Sequence, residues 1–257
     1  LILSSARVYP TQTALTDQNK KVTYLELEKQ VRSLALYLRQ LGMCKGDRVG
    51  VLSEKNIEFV VSVFGVSMAG GIFVPMNPVL RAQQLRHIIN DSGLRFLIVS
   101  EERWDSLAAL MSETPSVEWV IILSPDKQAM MPKISGARPK ILSFQETQKA
   151  ATQNHGRGLE VGPFDRELVE NDPVAIFYTS GSTGLPKGVV LSHRNMVVGA
   201  QSVSQYLENN SEDILLAALP LSFDAGFSQL TTAFAVGAQV VLHNYILPQE
   251  IADLVRL

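Results

Sequence analysis

Cysteine is almost missing from this sequence. Cys44 is the one cysteine in 257 residues, which excludes an internal disulfide framework and fits a reducing, cytoplasmic setting. An excess of either charge is also missing. Lys and Arg number 23 against 25 Asp and Glu, a formal net charge of −2, so no basic field points to nucleic acid or an anionic membrane. The pair Lys20-Lys21 is the most concentrated basic cluster and reads as part of a solvated turn. The four histidines (His87, His155, His193 and His243) lie far apart, with no metal-ligand spacing among them. No membrane span is expected. The uncharged segment Phe59 to Pro75 falls short of the ~20 residues that a bilayer requires, contains Gly70-Gly71 and ends in proline. A buried helix running into a buried strand accounts for it. A signal-peptide layout is absent and position 1 is leucine, so a piece of a longer chain is the expectation.

What is present is ordinary globular composition, 46% apolar and 19% charged, at a length that allows one large domain or two small ones. Thr23 to Glu26 forms a capping box, in which the threonine hydroxyl and the glutamate each satisfy a free first-turn amide. Leu27, Val31, Leu34, Leu38 and Leu41 follow at helical spacing, and Gly42 stands where a C-cap belongs. From Arg48 onward, short apolar runs alternate with helical patterns. RVGVL, IFVP, RFLIVS and WVIIL read as strands. Ile57 to Ala69, Arg81 to Asn90 and Glu101 to Met111 read as helices. This alternation predicts βαβ units around a parallel sheet. Pro125 to Pro139 and Ala151 to Phe164 lack periodicity and read as surface loops around a short strand at Ile141 and Leu142. Asp172 to Tyr178 and Gly188 to Leu191 read as strands, with a helix from Ser192 to about Leu207. Ile214 to Ala218 is a strand, Leu219 to Asp224 a loop, Ala225 to Val236 an apolar helix, Gln239 to Leu242 a strand, and a further helix starts after Pro248.

Between two of these strands lies YTSGSTGLPKGV, residues 178 to 189. It fails as a Walker A loop. That motif needs GxxxxGK and then Ser or Thr, whereas here Pro186 precedes Lys187 and Gly188 follows it. Proline withholds the amide that the Walker glycine supplies, the Mg²⁺-binding hydroxyl is missing, and a strand follows in place of a helix. It fails as a GxSxG elbow because neither Ser180 nor Ser182 is flanked by glycines two residues away. A strand–loop–strand phosphate cradle fits. Gly181 and Gly184 allow amides to converge on an anion, Thr179, Ser180, Ser182 and Thr183 add hydroxyls, and Lys187 adds a charge. His193 could serve as a base, but it fits the first turn of its helix better. His87 and His243 read as surface or strand-end residues.

This stretch resembles the phosphate loop of the AMP-forming adenylating enzymes: acyl- and aryl-CoA synthetases, peptide-synthetase adenylation domains and luciferases. Other stretches resemble that family in the same order: VTYLEL at Val22 to Leu27, KGDRV at Lys45 to Val49, AGGIFVPMNP at Ala69 to Pro78, LSHRN at Leu191 to Asn195, and LPLSFDAG at Leu219 to Gly226. The resemblance implies an α/β fold of two doubly wound βαβ subdomains, the second incomplete and a C-terminal lid domain absent. Residues 45 to 207 would form one subdomain; residues 1 to 44 and 208 to 257 would form part of the other. It implies that a carboxylic acid attacks Mg·ATP to give an acyl-adenylate, which a thiol of coenzyme A or of a carrier-protein pantetheine then captures. Thr179, Ser180, Gly181, Ser182, Thr183, Gly184 and Lys187 would hold ATP and pyrophosphate. Either Ser182 or Thr183 would touch Mg²⁺. Phe223, Asp224 and Gly226 would line the acyl pocket. Here the sequence departs from the usual CoA-ligase pattern, with Ser222-Phe223 in place of an aromatic-His pair. Asp224 could pair with a substrate ammonium, as in amino-acid-activating relatives, or could cap the helix that follows. The family's adenine-binding, ribose-binding and catalytic-lysine segments have no match in this sequence. No catalytic residue is therefore assigned, and the chain alone is expected to be inactive. An amino-acid adenylating enzyme that loads a carrier protein and a non-catalytic ATP-binding module stand as alternatives.

Overall fold

The computed structural model describes residues 1–18, 20–123, 139–147, 168–179, 185–245 and 248–255. In chain order, its elements begin with α1 (Ile2–Val8), β1 (Thr13–Asp17), β2 (Lys20–Thr23), α2 (Tyr24–Gln40), β3 (Arg48–Leu52), α3 (Ile57–Met68), β4 (Ile72–Met76), α4 (Ala82–Ser92) and β5 (Phe96–Ser100). There follow α5 (Glu101–Ala108), β6 (Trp119–Leu123), β7 (Lys140–Ser143), β8 (Pro173–Thr179), β9 (Lys187–Ser192), α6 (His193–Tyr206), β10 (Ile214–Ala217), α7 (Asp224–Val236), β11 (Gln239–Leu242) and α8 (Pro248–Val255). The elements expected from Thr23 onward are present within a few residues of their expected ends. The two expected surface loops fall almost wholly outside the described residues.

The chain divides into two compact units. One comprises Leu1–Lys29, Glu54–Val60 and Arg194–Leu257; the other comprises Gln30–Ser53 and Val61–His193. This division differs from the expected boundaries at 44/45 and 207/208. Residues 30 to 44 group with the second unit for a packing reason: Leu34 lies so close to Gly65 on α3 that a Cβ there would meet its Cδ2 at 2.8 Å. Residues 54 to 60 group with the first unit, where the Lys55 ammonium donates to the Ala217 and Ala218 carbonyls at 2.8 and 2.9 Å.

The second unit carries a seven-stranded sheet in the order β7-β6-β5-β3-β4-β8-β9. Its pairings are parallel except β8 with β9, an antiparallel hairpin at the edge. β4 and β5 are buried along their whole length, as strands covered on both faces must be. Arg48 ties β3 to the end of α4, donating to the carbonyls of Ser92 and Gly93 at 2.8 Å each. Gly93 ends that helix in the left-handed region. Leu85, Ile88, Leu97, Trp104 and Tyr178 belong to one buried apolar cluster.

The first unit carries a four-stranded sheet, β10-β11-β1-β2. β10, β11 and β1 run parallel, and β2 closes the edge antiparallel to β1. The structure corrects one expectation here: Lys20 and Lys21 lie in β2, not in a turn. Both are exposed, as lysines on an edge strand commonly are. α1 and β1, which the sequence pattern did not announce, are held from far along the chain. Ser5 donates its hydroxyl to Phe234 O at 2.7 Å, and Leu15 pairs with Val240.

Candidate functional site

β8 and β9 bear out the two expected strands, and their antiparallel pairing places Thr179 directly opposite Lys187. Both are exposed at the carboxyl end of β8, the end of an α/β strand where ligands bind. Ser180, Gly181, Ser182, Thr183 and Gly184, with the two hydroxyl candidates for Mg²⁺ among them, lie outside the described residues. The stems on either side are built with care. Tyr178 faces Gly188 across the hairpin. A Cβ at Gly188 would meet Ile176 Cγ2 at 2.7 Å and Tyr178 Cζ at 3.2 Å, so only glycine lets the ring lie across β9. The Tyr178 hydroxyl donates to Asp91 Oδ2 at 2.5 Å. Burial first, and then the Asp91 carboxylate, push that hydroxyl above its ordinary pKa, so it keeps its proton.

His87 was expected at the surface or at a strand end. It is half-buried on α4, with its Nε2 2.9 Å from the Pro186 carbonyl and its ring edge-to-face with Tyr178. Its spacing from Asp91, one helical turn, was the available signal, but nothing in the sequence tied that helix face to residues 178 and 186.

At the base of the hairpin, His193 opens α6 as expected, and its amide donates to Asp172 O at 3.1 Å. The Asp172 carboxylate pairs with the Lys45 ammonium at 2.7 Å, which holds it below the usual carboxylate range. Burial lowers the His193 pKa against the opposing pull of Asp172. Its Nε2 has no hydrogen-bond partner among the described residues. These features fit a half-buried neutral imidazole and give no sign of a base aimed at a substrate.

Phe223, Asp224 and Gly226 belong to the other unit and cluster at the start of α7. Gly226 is buried against the preceding loop, where a Cβ would overlap the Pro220 carbonyl oxygen. Phe223 is exposed and occupies the N-cap position, with no side-chain cap. Asp224 is therefore the first helical residue and not the cap, and its side chain is exposed. Gln229 braces this loop by accepting from Leu219 N at 3.2 Å and donating to Leu216 O at 3.0 Å. Lys55, which sequence reasoning passed over, adds its bonds to Ala217 and Ala218 just upstream. Ser222 is buried and its hydroxyl has no partner among the described residues. Among the described residues, no group of three or more His, Cys, Asp or Glu side chains could hold a metal, and no helix is long and apolar enough to cross a membrane.

A family model described as AMP-binding enzyme matches residues 3–256, and the chain belongs to that family. Among curated relatives, it is 29% identical over 252 residues to the fatty acid–[acyl-carrier-protein] ligase ScoC of Streptomyces coeruleorubidus, covering 96% of this chain and 43% of that protein. It is 32% identical over 238 residues to the long-chain-fatty-acid–CoA ligase of Salmonella typhimurium, covering 84% of this chain and 41% of that one. The chain thus spans less than half the length of either relative. In fold it matches the anthranilate CoA ligase AuaEII, solved in complex with anthranoyl-AMP, with a TM-score of 0.79 at 24% identity over 95% of this chain and 45% of that one.

Proposed function

We propose that the protein carrying this chain is an AMP-forming acid–thiol ligase. The observation that carries this reading is the β8–β9 hairpin, which sets Thr179 opposite Lys187 at a strand's carboxyl end in a chain of the AMP-binding family. In the first step a substrate carboxylate oxygen attacks the α-phosphorus of ATP. The bond to the β-phosphate oxygen breaks, and an acyl-adenylate and pyrophosphate result. In the second step a thiol, of coenzyme A or of a carrier's pantetheine, attacks the acyl carbon and releases AMP. Lys187 and the Thr179 hydroxyl face the triphosphate end of ATP and stabilise the pyrophosphate as it leaves. The residues from Ser180 to Gly184 add amides and hydroxyls to the same end. Mg²⁺ carried in with ATP would neutralise phosphate charge, and Ser182 or Thr183 would be its protein contact. At the start of α7 the exposed Phe223 ring offers the carboxylate substrate an apolar contact.

Exchange of labelled pyrophosphate into ATP by the full-length protein tests this. Lys187→Ala is expected to reduce the exchange rate roughly 100-fold, the scale of removing one charge-stabilising donor, without lowering the melting temperature. Exchange unchanged by that substitution would sink the assignment. The 257-residue chain alone is expected to show no exchange, because it lacks counterparts of the family's adenine, ribose and lysine segments. A chain that binds ATP through Lys187 within a full-length protein that turns nothing over would support the non-catalytic reading.

A second reading, activation of an amino acid for loading onto a carrier protein, is favoured by one observation. Asp224 does not cap α7, and its exposed carboxylate stands at the first helical position, available to an ammonium group.

A further inference from the structure

Helix α4 touches both stems of the β8–β9 hairpin through two residues one turn apart. On the entry side, Asp91 accepts from the Tyr178 hydroxyl at 2.5 Å. On the exit side, His87 Nε2 lies 2.9 Å from the Pro186 carbonyl oxygen. A carbonyl can only accept, so Nε2 carries a proton and donates. The His87 and Tyr178 rings meet edge-to-face with centroids 6.5 Å apart, which joins the two anchors into one cluster. Gly188 leaves the space the Tyr178 ring occupies.

The spacing of the anchors is what gives them a consequence. Thr179 follows Tyr178 by one residue, and Lys187 follows Pro186 by one residue. We infer that His87 and Asp91 are positioning residues that hold Thr179 and Lys187 in register for the phosphates of ATP. This rests on the proposed role of the loop. Lysine is a point charge on a long, flexible stem, and a loop bounded by free strands would spend binding energy on being ordered. Two anchors on one rigid helix, each adjacent to a phosphate-facing residue, supply that order before the nucleotide arrives. Neither His87 nor Asp91 need touch ATP.

The contacts could instead serve stability alone, and the two roles separate kinetically. In the full-length protein, pyrophosphate exchange and melting temperature would be measured for His87→Gln, which keeps a side-chain N–H donor, and for His87→Phe, which keeps a ring but removes the donor. Tyr178→Phe removes the other anchor with minimal change of shape. The expected result is a rise of roughly 3- to 10-fold in the KM for ATP in His87→Phe and Tyr178→Phe, the scale of one lost hydrogen bond. The KM for the acid and the melting temperature should stay at wild-type values, and His87→Gln should recover most of the loss. A wild-type KM for ATP in both His87→Phe and Tyr178→Phe would overturn the inference, as would losses for both substrates that track a lowered melting temperature. A wild-type protein that neither binds ATP nor exchanges pyrophosphate would overturn the reading of the loop itself, and the positioning role with it.

Discussion

Individual residues in the two candidate regions are constrained more by packing than the motifs suggest. Gly226 sits in the stretch assigned to the acyl pocket, yet a Cβ there would overlap the Pro220 carbonyl. Gly226→Ala is expected to cost about 1 to 3 kcal/mol through overpacking, read from urea denaturation midpoints. If the substitution left stability unchanged and altered only substrate affinity, the packing account would be wrong. His193 gives a pH dependence whose sign follows from its burial. Its folded pKa lies below the ordinary 6.5, because the buried ring resists charging. The unfolded chain therefore takes up the proton first. Stability from this group is full above pH 6.5 and falls as the pH drops through the folded pKa. Between about pH 7 and about pH 5, the melting temperature of the wild type should fall more steeply than that of His193→Gln. Parallel curves would show that another group titrates.

At the scale of elements, local chemistry was most legible where a helix carries its own start and stop signals. The capping box at α2 is present as read: Thr23 N donates to Glu26 Oε2 at 2.8 Å, and Glu26 N donates to Thr23 Oγ1 at 3.3 Å. Gly42 ends that segment at φ +85°, and Leu27, Val31, Leu34 and Leu38 are buried. Thr23→Ala should lower stability by about 1 kcal/mol, measurable by thermal or denaturant unfolding, with Thr23→Ser restoring it. The elements that were not announced lack such signals. α1 has seven residues and buries Ile2, Ser5 and Ala6, a face too small and too polar to stand out. β1 and β2 alternate weakly, and β1 owes its place to β11, more than 200 residues away along the chain. α5 stops at Ala108 and gives way to a tighter turn at Met111–Glu113, short of the Met111 end that the pattern suggested.

For the whole molecule, the alternation of buried strands and helices was enough to announce an α/β fold with largely parallel sheets. The similarity to AMP-binding enzymes spans nearly the entire chain. The class of acid can be tested at the start of α7, the region proposed to line the acyl pocket. Pyrophosphate exchange by the full-length protein would be compared with fatty acids, aryl acids and amino acids, before and after Asp224→Ala. If the substrate is an amino acid, Asp224→Ala should reduce its use by roughly 10- to 100-fold, the scale of a lost charge-assisted contact. If the substrate carries no ammonium, the same substitution should leave exchange near the wild-type level.

The sequence by itself determined that residues 178 to 189 are not a Walker A loop, because Pro186 and Gly188 stand where that motif needs a glycine amide and a hydroxyl. It also determined the parallel core, because runs such as IFVP and FLIVS are apolar on both faces and can only be buried. The tertiary structure alone decided which distant groups meet. It brought α4 onto the hairpin, so that Asp91 and His87 reach Tyr178 and Pro186. It set Lys55 on the carbonyls that lead into the loop from Leu219 to Phe223. It drew the line between the two units within α2, between Lys29 and Gln30. Such pairings depend on how helices lie across sheets, and residues separated by tens of positions carry no local record of that geometry.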